Sequence, residues 1–217
     1  MKTQVQSSEV EIPVGKKRLG GELVLPGDAG GIVLFAHGSG SSRHSPRNQF
    51  VARMLHDAGL GTLLFDLLTA EEEQEEYYTR HLRFDIDLLA NRLITATEWL
   101  EEQDLPQAAR LGYFGSSTGA AAALIAAAQA PERIGAVVSR GGRPDLAAAH
   151  LGKVKAPTLL IVGANDFGVI ELNEQAFAEL RCEKEMQLIA GATHLFEEPG
   201  ALEKAARLAA DWFSKHL

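Results

Sequence analysis

The chain of 217 residues contains one cysteine, Cys182, which excludes an intramolecular disulfide and any cysteine-rich metal site. Its neighbours Arg181, Glu183 and Lys184 read as a helix-to-strand connection, so a structural place for the thiol is expected. Positive charge is also in deficit: 21 Lys and Arg against 29 Asp and Glu leave a net charge of -8. A sequence-independent grip on phosphate backbones needs clustered cations, so no nucleic acid partner is expected. Long apolar runs are missing too. None approaches the roughly 20 residues that span a bilayer, and the start Met1-Lys2-Thr3-Gln4-Val5-Gln6-Ser7-Ser8 has no secretion-signal core, so no membrane partner and a cytoplasmic location are expected. No internal repeat and no low-complexity linker divides the chain, and residues 1–217 read as a single domain.

What is present is a folding composition, 46% apolar and 23% charged. Apolar runs of strand length alternate with helix-length amphipathic segments, the pattern of a mostly parallel, doubly wound α/β sheet covered on both faces. Residues 10–14 and 19–25 flank Gly15-Lys16-Lys17 as an N-terminal antiparallel hairpin at the sheet edge. Six buried strands are expected near residues 31–36, 61–65, 110–114, 135–138, 158–162 and 186–189. Helices are expected near residues 47–58, 84–102, 118–130, 172–180 and 202–216. The third helix is almost all alanine, which lets its backbone lie close to the strands it crosses. The acidic run Glu71-Glu72-Glu73-Gln74-Glu75-Glu76 reads as a solvated loop or helix start. No insertion between the later strands is long enough for a lid domain.

Gly115-Ser116-Ser117-Thr118-Gly119 falls between a strand and the alanine-rich helix. A sharp strand-turn-helix elbow forces its central residue into strained geometry and needs glycine on either side, where a Cβ would strike the neighbouring element. Ser117 is that central residue, and a serine hydroxyl is a weak nucleophile that needs a base and a group to orient the base. Asp166 follows the apolar run Thr158-Leu159-Leu160-Ile161-Val162, and His194 follows Met186-Gln187-Leu188-Ile189 one strand later. Both land on the sheet edge that holds Ser117, in the chain order Ser, Asp, His. Asp66, at the end of an earlier strand, is the rival carboxylate. His37 opens the loop after the first buried strand and is expected to brace it, while the other five histidines fall on loops and helices. No metal pair is evident.

With His37-Gly38, the Ser117 elbow, Asp166 and Gly191-Ala192-Thr193-His194 in place, the chain resembles the α/β-hydrolase superfamily, and within it the dienelactone hydrolase family, over nearly its whole length. It departs from that family's cysteine nucleophile in having Ser117. The resemblance implies an α/β-hydrolase fold and a serine hydrolase with catalytic Ser117, Asp166 and His194. It implies an oxyanion hole from the backbone N–H groups of Thr118 and Ser39, with Gly38 or Gly40 as the neighbouring choices. The expected substrate is a small carboxylic ester, bound in an open pocket by a monomer or homodimer without cofactor. A lactone or thioester hydrolase with the same triad, and a non-catalytic binding protein on the same fold, are the alternatives. Arg140 and Arg143 follow the strand near residues 135–138, and Arg43 and Arg47 follow the oxyanion loop. Arg140 is the candidate for contacting an anionic substrate group, against the simpler reading that Arg140 and Arg143 brace loops by pairing with acidic residues.

Overall fold

The computed structural model describes residues 5–27, 29–106 and 109–217; Met1-Lys2-Thr3-Gln4, part of the segment read for a secretion signal, lies outside them. One eight-stranded sheet joins all the described strands, in the order β1-β2-β4-β3-β5-β6-β7-β8. β1 (Val5–Val14) and β2 (Lys17–Pro26) form the antiparallel hairpin around Gly15 and Lys16, and β2 joins β4 (Gly61–Phe65) antiparallel. From there the sheet is parallel through β3 (Gly31–Ala36), β5 (Arg110–Ser116), β6 (Ile134–Arg140), β7 (Thr158–Gly163) and β8 (Lys184–Ile189).

Alternation along β3 divides the core. Ile32 and Leu34 face a cluster that also holds α3 (Ile86–Glu101), α4 (Thr118–Gln129) and the last turns of α6 (Phe167–Glu179). Val33 and Phe35 face the other cluster, made with α1 (Pro46–Asp57) and α7 (Ala201–His216). Ten residues of α4, Thr118 to Ala127, are buried, because small side chains let the helix sit directly on the sheet.

Two expectations need correction. β8 is an edge strand rather than a buried one: among the described strands it is the last, and of its six residues only Ile189 is buried. The acidic run, read as a solvated loop or helix start, does start a helix, α2 (Ala70–Thr79), through a capping box in which Thr69 and Glu72 exchange side-chain-to-backbone bonds, but it is not solvated throughout. Glu76 in that run is fully buried rather than solvated, accepting from the Leu82 N–H at 2.7 Å and from Arg83 Nε at 2.5 Å. A short α5 (Ala148–Leu151) follows β6, and no helix among the described residues is long and apolar enough to cross a membrane.

His37 is buried at the end of β3. Its Nε2 accepts from the Leu67 N–H at 3.1 Å, so the ring proton belongs on Nδ1, which faces the Gly38 carbonyl at 3.1 Å. Burial lowers its pKa below the ordinary 6.5, against weaker opposing pulls from the Gly38 carbonyl, Asp66 and Glu73. The unfolded chain therefore binds this proton more readily than the fold does. Its stabilisation is present above pH 6.5 and is lost as the pH drops below 6.5 toward the lowered folded value. His56 and His216 act in the same direction. Melting temperature should fall on acidification from pH 6.5, and the slope should be shallower in His37→Gln, as measured by thermal denaturation across that range.

Candidate active site

Four loops at the carboxyl ends of the parallel strands converge. The first is the turn from β5 into α4, where Ser117 has φ 51° and ψ −124°. That region is strained for any residue with a Cβ, and here the surroundings enforce it. The Ser117 N–H donates to the Arg140 carbonyl at 3.4 Å and its own carbonyl accepts from the Arg143 N–H at 3.0 Å. The flanking glycines leave no alternative. A Cβ on Gly115 would lie 2.4 Å from Ala120 Cα, and one on Gly119 would lie 2.1 Å from the Ala36 carbonyl oxygen.

Ser117 is the N-cap of α4, a place where serine normally caps the helix with its hydroxyl. It makes no such bond, and Asp166, the N-cap of α6, makes none either. The Asp166 carboxylate turns instead to His194, with Oδ2 2.7 Å from Nδ1. Backbone bonds between the two turns hold this pair: Ala164 N–H to the Ile189 carbonyl and Asn165 N–H to the Ala192 carbonyl, each at 2.9 Å. Beyond His194 the chain is pinned by Phe196, which is 1% exposed and has φ 56°. An imidazole that donates from Nδ1 to Asp166 keeps the lone pair of Nε2 free to accept a proton. Ser117 and His194 line one open pocket of about 210 Å³. The rival Asp66 is engaged elsewhere, accepting from the Arg43 N–H at 2.9 Å and from its guanidinium at 2.7 Å.

The loop after β3 forms the opposite wall. Gly38 packs against the elbow, where an added Cβ would come within 2.9 Å of Ser117 Cβ. The Ser39 N–H donates to Thr118 Oγ1 at 3.0 Å; the two hydroxyls are 2.9 Å apart, and Ser39 Oγ donates to the Arg83 carbonyl at 3.1 Å. Proton bookkeeping fixes one chain, from Thr118 hydroxyl to Ser39 hydroxyl to Arg83 carbonyl. Arg83 is in turn held by buried Glu76, so α2 reaches the pocket wall. Sequence reasoning missed this link. Thr69-Ala70-Glu71-Glu72 carries the helix-start signature, but nothing local marks Glu76 among five other acidic or amide residues as the one turned inward.

The arginines divide. Arg143 pairs with Asp145 through two bonds of 2.8 Å, Arg43 pairs with Asp66, and Arg47 lies 3.2 Å from Glu197. Among the described residues, Arg140 has no such partner. Cys182 is half-buried and lies 3.7 Å from Thr158 Oγ1, away from the pocket. Among the described residues, no group of three or more His, Cys, Asp or Glu is arranged to hold a metal ion.

Residues 29–209 match the model of a family described as alpha/beta hydrolase domain. The crystal structure of a dienelactone hydrolase from Anabaena variabilis is 58% identical, covers 99% of both chains and superposes with a TM-score of 0.96. The esterase Est1E from Butyrivibrio proteoclasticus, 14% identical with a TM-score of 0.81 over 96% of this chain and 98% of that one, shares the fold. A Mycobacterium tuberculosis (strain H37Rv) protein named "Putative phosphoribosyl transferase" is 54% identical over 213 residues, 98% of this chain and 47% of that protein. The chain thus spans about half the length of the curated relatives it matches. By family match, sheet topology and whole-length likeness alike, the chain belongs to the alpha/beta hydrolase family, in its dienelactone hydrolase-like branch.

Proposed function

We propose that the protein is a serine hydrolase that cleaves small carboxylic esters through an acyl-enzyme on Ser117. The observation that carries this reading is the pair of withheld caps: a serine and an aspartate at helix N-termini both forgo capping, and the aspartate binds the histidine that shares the serine's pocket.

In the first step Ser117 Oγ attacks the ester carbonyl carbon and its proton passes to His194 Nε2, while Asp166 accepts from Nδ1–H and stabilises the imidazolium. The carbonyl oxygen becomes an oxyanion. We assign its donors as the N–H of Thr118 and that of Ser39, the latter giving up its Thr118 Oγ1 acceptor for the stronger charged one. Gly38 and Gly40 are the neighbouring donors in the same loop. The C–O bond to the alcohol then breaks and His194 returns the proton to the leaving oxygen. In the second step water loses a proton to His194 and attacks the acyl carbon, which releases the carboxylic acid and restores the Ser117 hydroxyl. No step requires a cofactor. The small open pocket favours short acyl groups over long lipid chains.

The same triad would open lactones and thioesters. Initial rates on p-nitrophenyl esters, δ-lactones and acyl thioesters rank these substrates; turnover of esters fastest supports the reading, and turnover of none contradicts it. The choice of carboxylate is tested separately. Asp166→Asn should lower kcat about 10⁴-fold by misorienting the imidazole, while Asp66→Asn, whose carboxylate holds Arg43, should lower it less than about tenfold. The reverse ranking would move the acid to the earlier strand. A non-catalytic binder would show equal ligand affinity with and without Ser117, and no turnover.

A further inference from the structure

Glu76, in the last turn of α2, is 0% exposed, and it holds the stretch of chain that follows the helix by three bonds. Its carbonyl accepts from the Arg80 N–H at 3.0 Å, its Oε2 from the Leu82 N–H at 2.7 Å and its Oε1 from Arg83 Nε at 2.5 Å. Within this span Arg80 has φ 52°, a left-handed conformation that is strained for a residue with a Cβ and persists only where the surroundings fix it. On the far side of the 3₁₀ turn Leu82–Phe84, Asp85 caps α3 by accepting from the Leu88 N–H at 3.0 Å. A buried ion pair adds little stability over apolar packing of the same volume. Its effect here is to place Arg83.

Arg83 meets the loop after β3 twice. Its carbonyl accepts from Ser39 Oγ at 3.1 Å, and its guanidinium lies over Gly40, where an added Cβ would come within 3.5 Å of Nη1. Glu76, Arg83, Gly38, Ser39 and Gly40 line one small cavity. The loop has little of its own to hold it, since Gly38-Ser39-Gly40-Ser41-Ser42 contains no apolar side chain to anchor in a core. Ser39 carries an N–H assigned above to the oxyanion, and such a donor is effective only if it is already in place when the charge develops. The N–H has to leave Thr118 Oγ1 for the oxyanion while the residue itself stays put, and the anchor of that residue outside the pocket is the bond from its hydroxyl to Arg83.

We propose that Glu76 and Arg83 are positioning residues for the oxyanion hole: the buried carboxylate fixes Arg83, and Arg83 braces Ser39 from behind the pocket wall. The inference rests on the acyl-transfer reading for the reaction that the brace serves. The brace itself does not depend on it.

Wild type, Glu76→Gln, Ser39→Ala and the double variant are compared on p-nitrophenyl acetate, each checked for a cooperative melt. Glutamine keeps the volume of the side chain but offers one acceptor oxygen to the two donors, and alanine at position 39 keeps the N–H while removing the hydroxyl. Each single variant should lose about tenfold in kcat, a fraction of the roughly 10²–10³-fold cost of deleting a donor outright, with KM within about twofold of wild type. Because both act through the one bond to the Arg83 carbonyl, the double variant should fall no more than about twofold below the slower single variant. Losses that multiply to about a hundredfold, a loss carried by KM, or an unchanged kcat in Glu76→Gln overturns the proposal and leaves acyl transfer standing. If Glu76→Gln does not fold, Arg83→Lys takes its place throughout; it keeps a counter-charge for the carboxylate without the Nε–H donor, and the same outcomes decide. Hydrogen–deuterium exchange needs no substrate. The peptide containing Ser39 should exchange faster in Glu76→Gln than in wild type, and equal exchange contradicts the brace. A wild-type protein that turns over no ester while this difference in exchange holds would sink acyl transfer and leave the brace standing.

Discussion

Ser117→Ala should abolish ester hydrolysis, with kcat falling by about 10⁴-fold or more, while the melting temperature stays within about 2 °C of wild type. Both halves come from the same geometry. Among the described residues the hydroxyl makes no cap bond to α4 and no side-chain bond elsewhere, so its removal leaves no buried partner unsatisfied. Alanine at the position keeps the same left-handed φ of 51°, so the backbone strain of the elbow is unchanged. The proposed nucleophile is thus separable from stability, and rates measured beside a thermal melt decide the matter. A variant that kept even a tenth of the wild-type rate would remove Ser117 from the chemistry.

Gly119→Ala is expected to act the other way, through the fold. The added methyl would lie 2.1 Å from the Ala36 carbonyl oxygen, 2.5 Å from that of His37 and 2.6 Å from the Ala36 carbonyl carbon. These are backbone atoms of β3 and of the loop after it, with no rotamer to yield. Relief requires α4 to lift from the sheet, but ten of its residues are buried against that sheet and its neighbours. Overpacking of this kind costs about 3 kcal/mol or more, a fall of roughly 6–12 °C in melting temperature for a chain of this size. Activity should fall as well, since the shift pushes Thr118 and the loop bearing Ser39 apart. A melt at the wild-type temperature would mean that the elbow is slacker than its contacts imply.

The parts legible in the sequence are those that local pattern dictates. Ser117 announces itself because only a strand-turn-helix junction needs glycines two residues to either side, and Asp166 and His194 because each follows an apolar run of strand length. The positions that escaped depend on what lies across space. β8 reads as a buried strand from Met186, Leu188 and Ile189, yet it is the last in the sheet, and only topology shows that no further strand covers it. Glu76 looks like its neighbours and differs in facing Arg83 and the Leu82 N–H, seven and six residues ahead. Arg140 and Arg143 look alike as well. Asp145, two residues beyond Arg143, neutralises that arginine, while Arg140 reaches Asn48 of α1 and two aromatic rings. Ser39 was legible as a loop residue beside the elbow, but not the Thr118 hydroxyl that its N–H meets, because a bond across 79 positions leaves no local trace.

Covalent labelling interrogates the assembly as a whole, since a fluorophosphonate reacts only with a serine whose proton has somewhere to go. Incubation of the folded protein with such a probe, followed by intact mass and peptide mapping, should give one adduct, on the peptide that contains Ser117. A protein that melts cooperatively and emerges from the same treatment unmodified, or labelled at some other hydroxyl, would contradict the claim that residues 117, 166 and 194 work together.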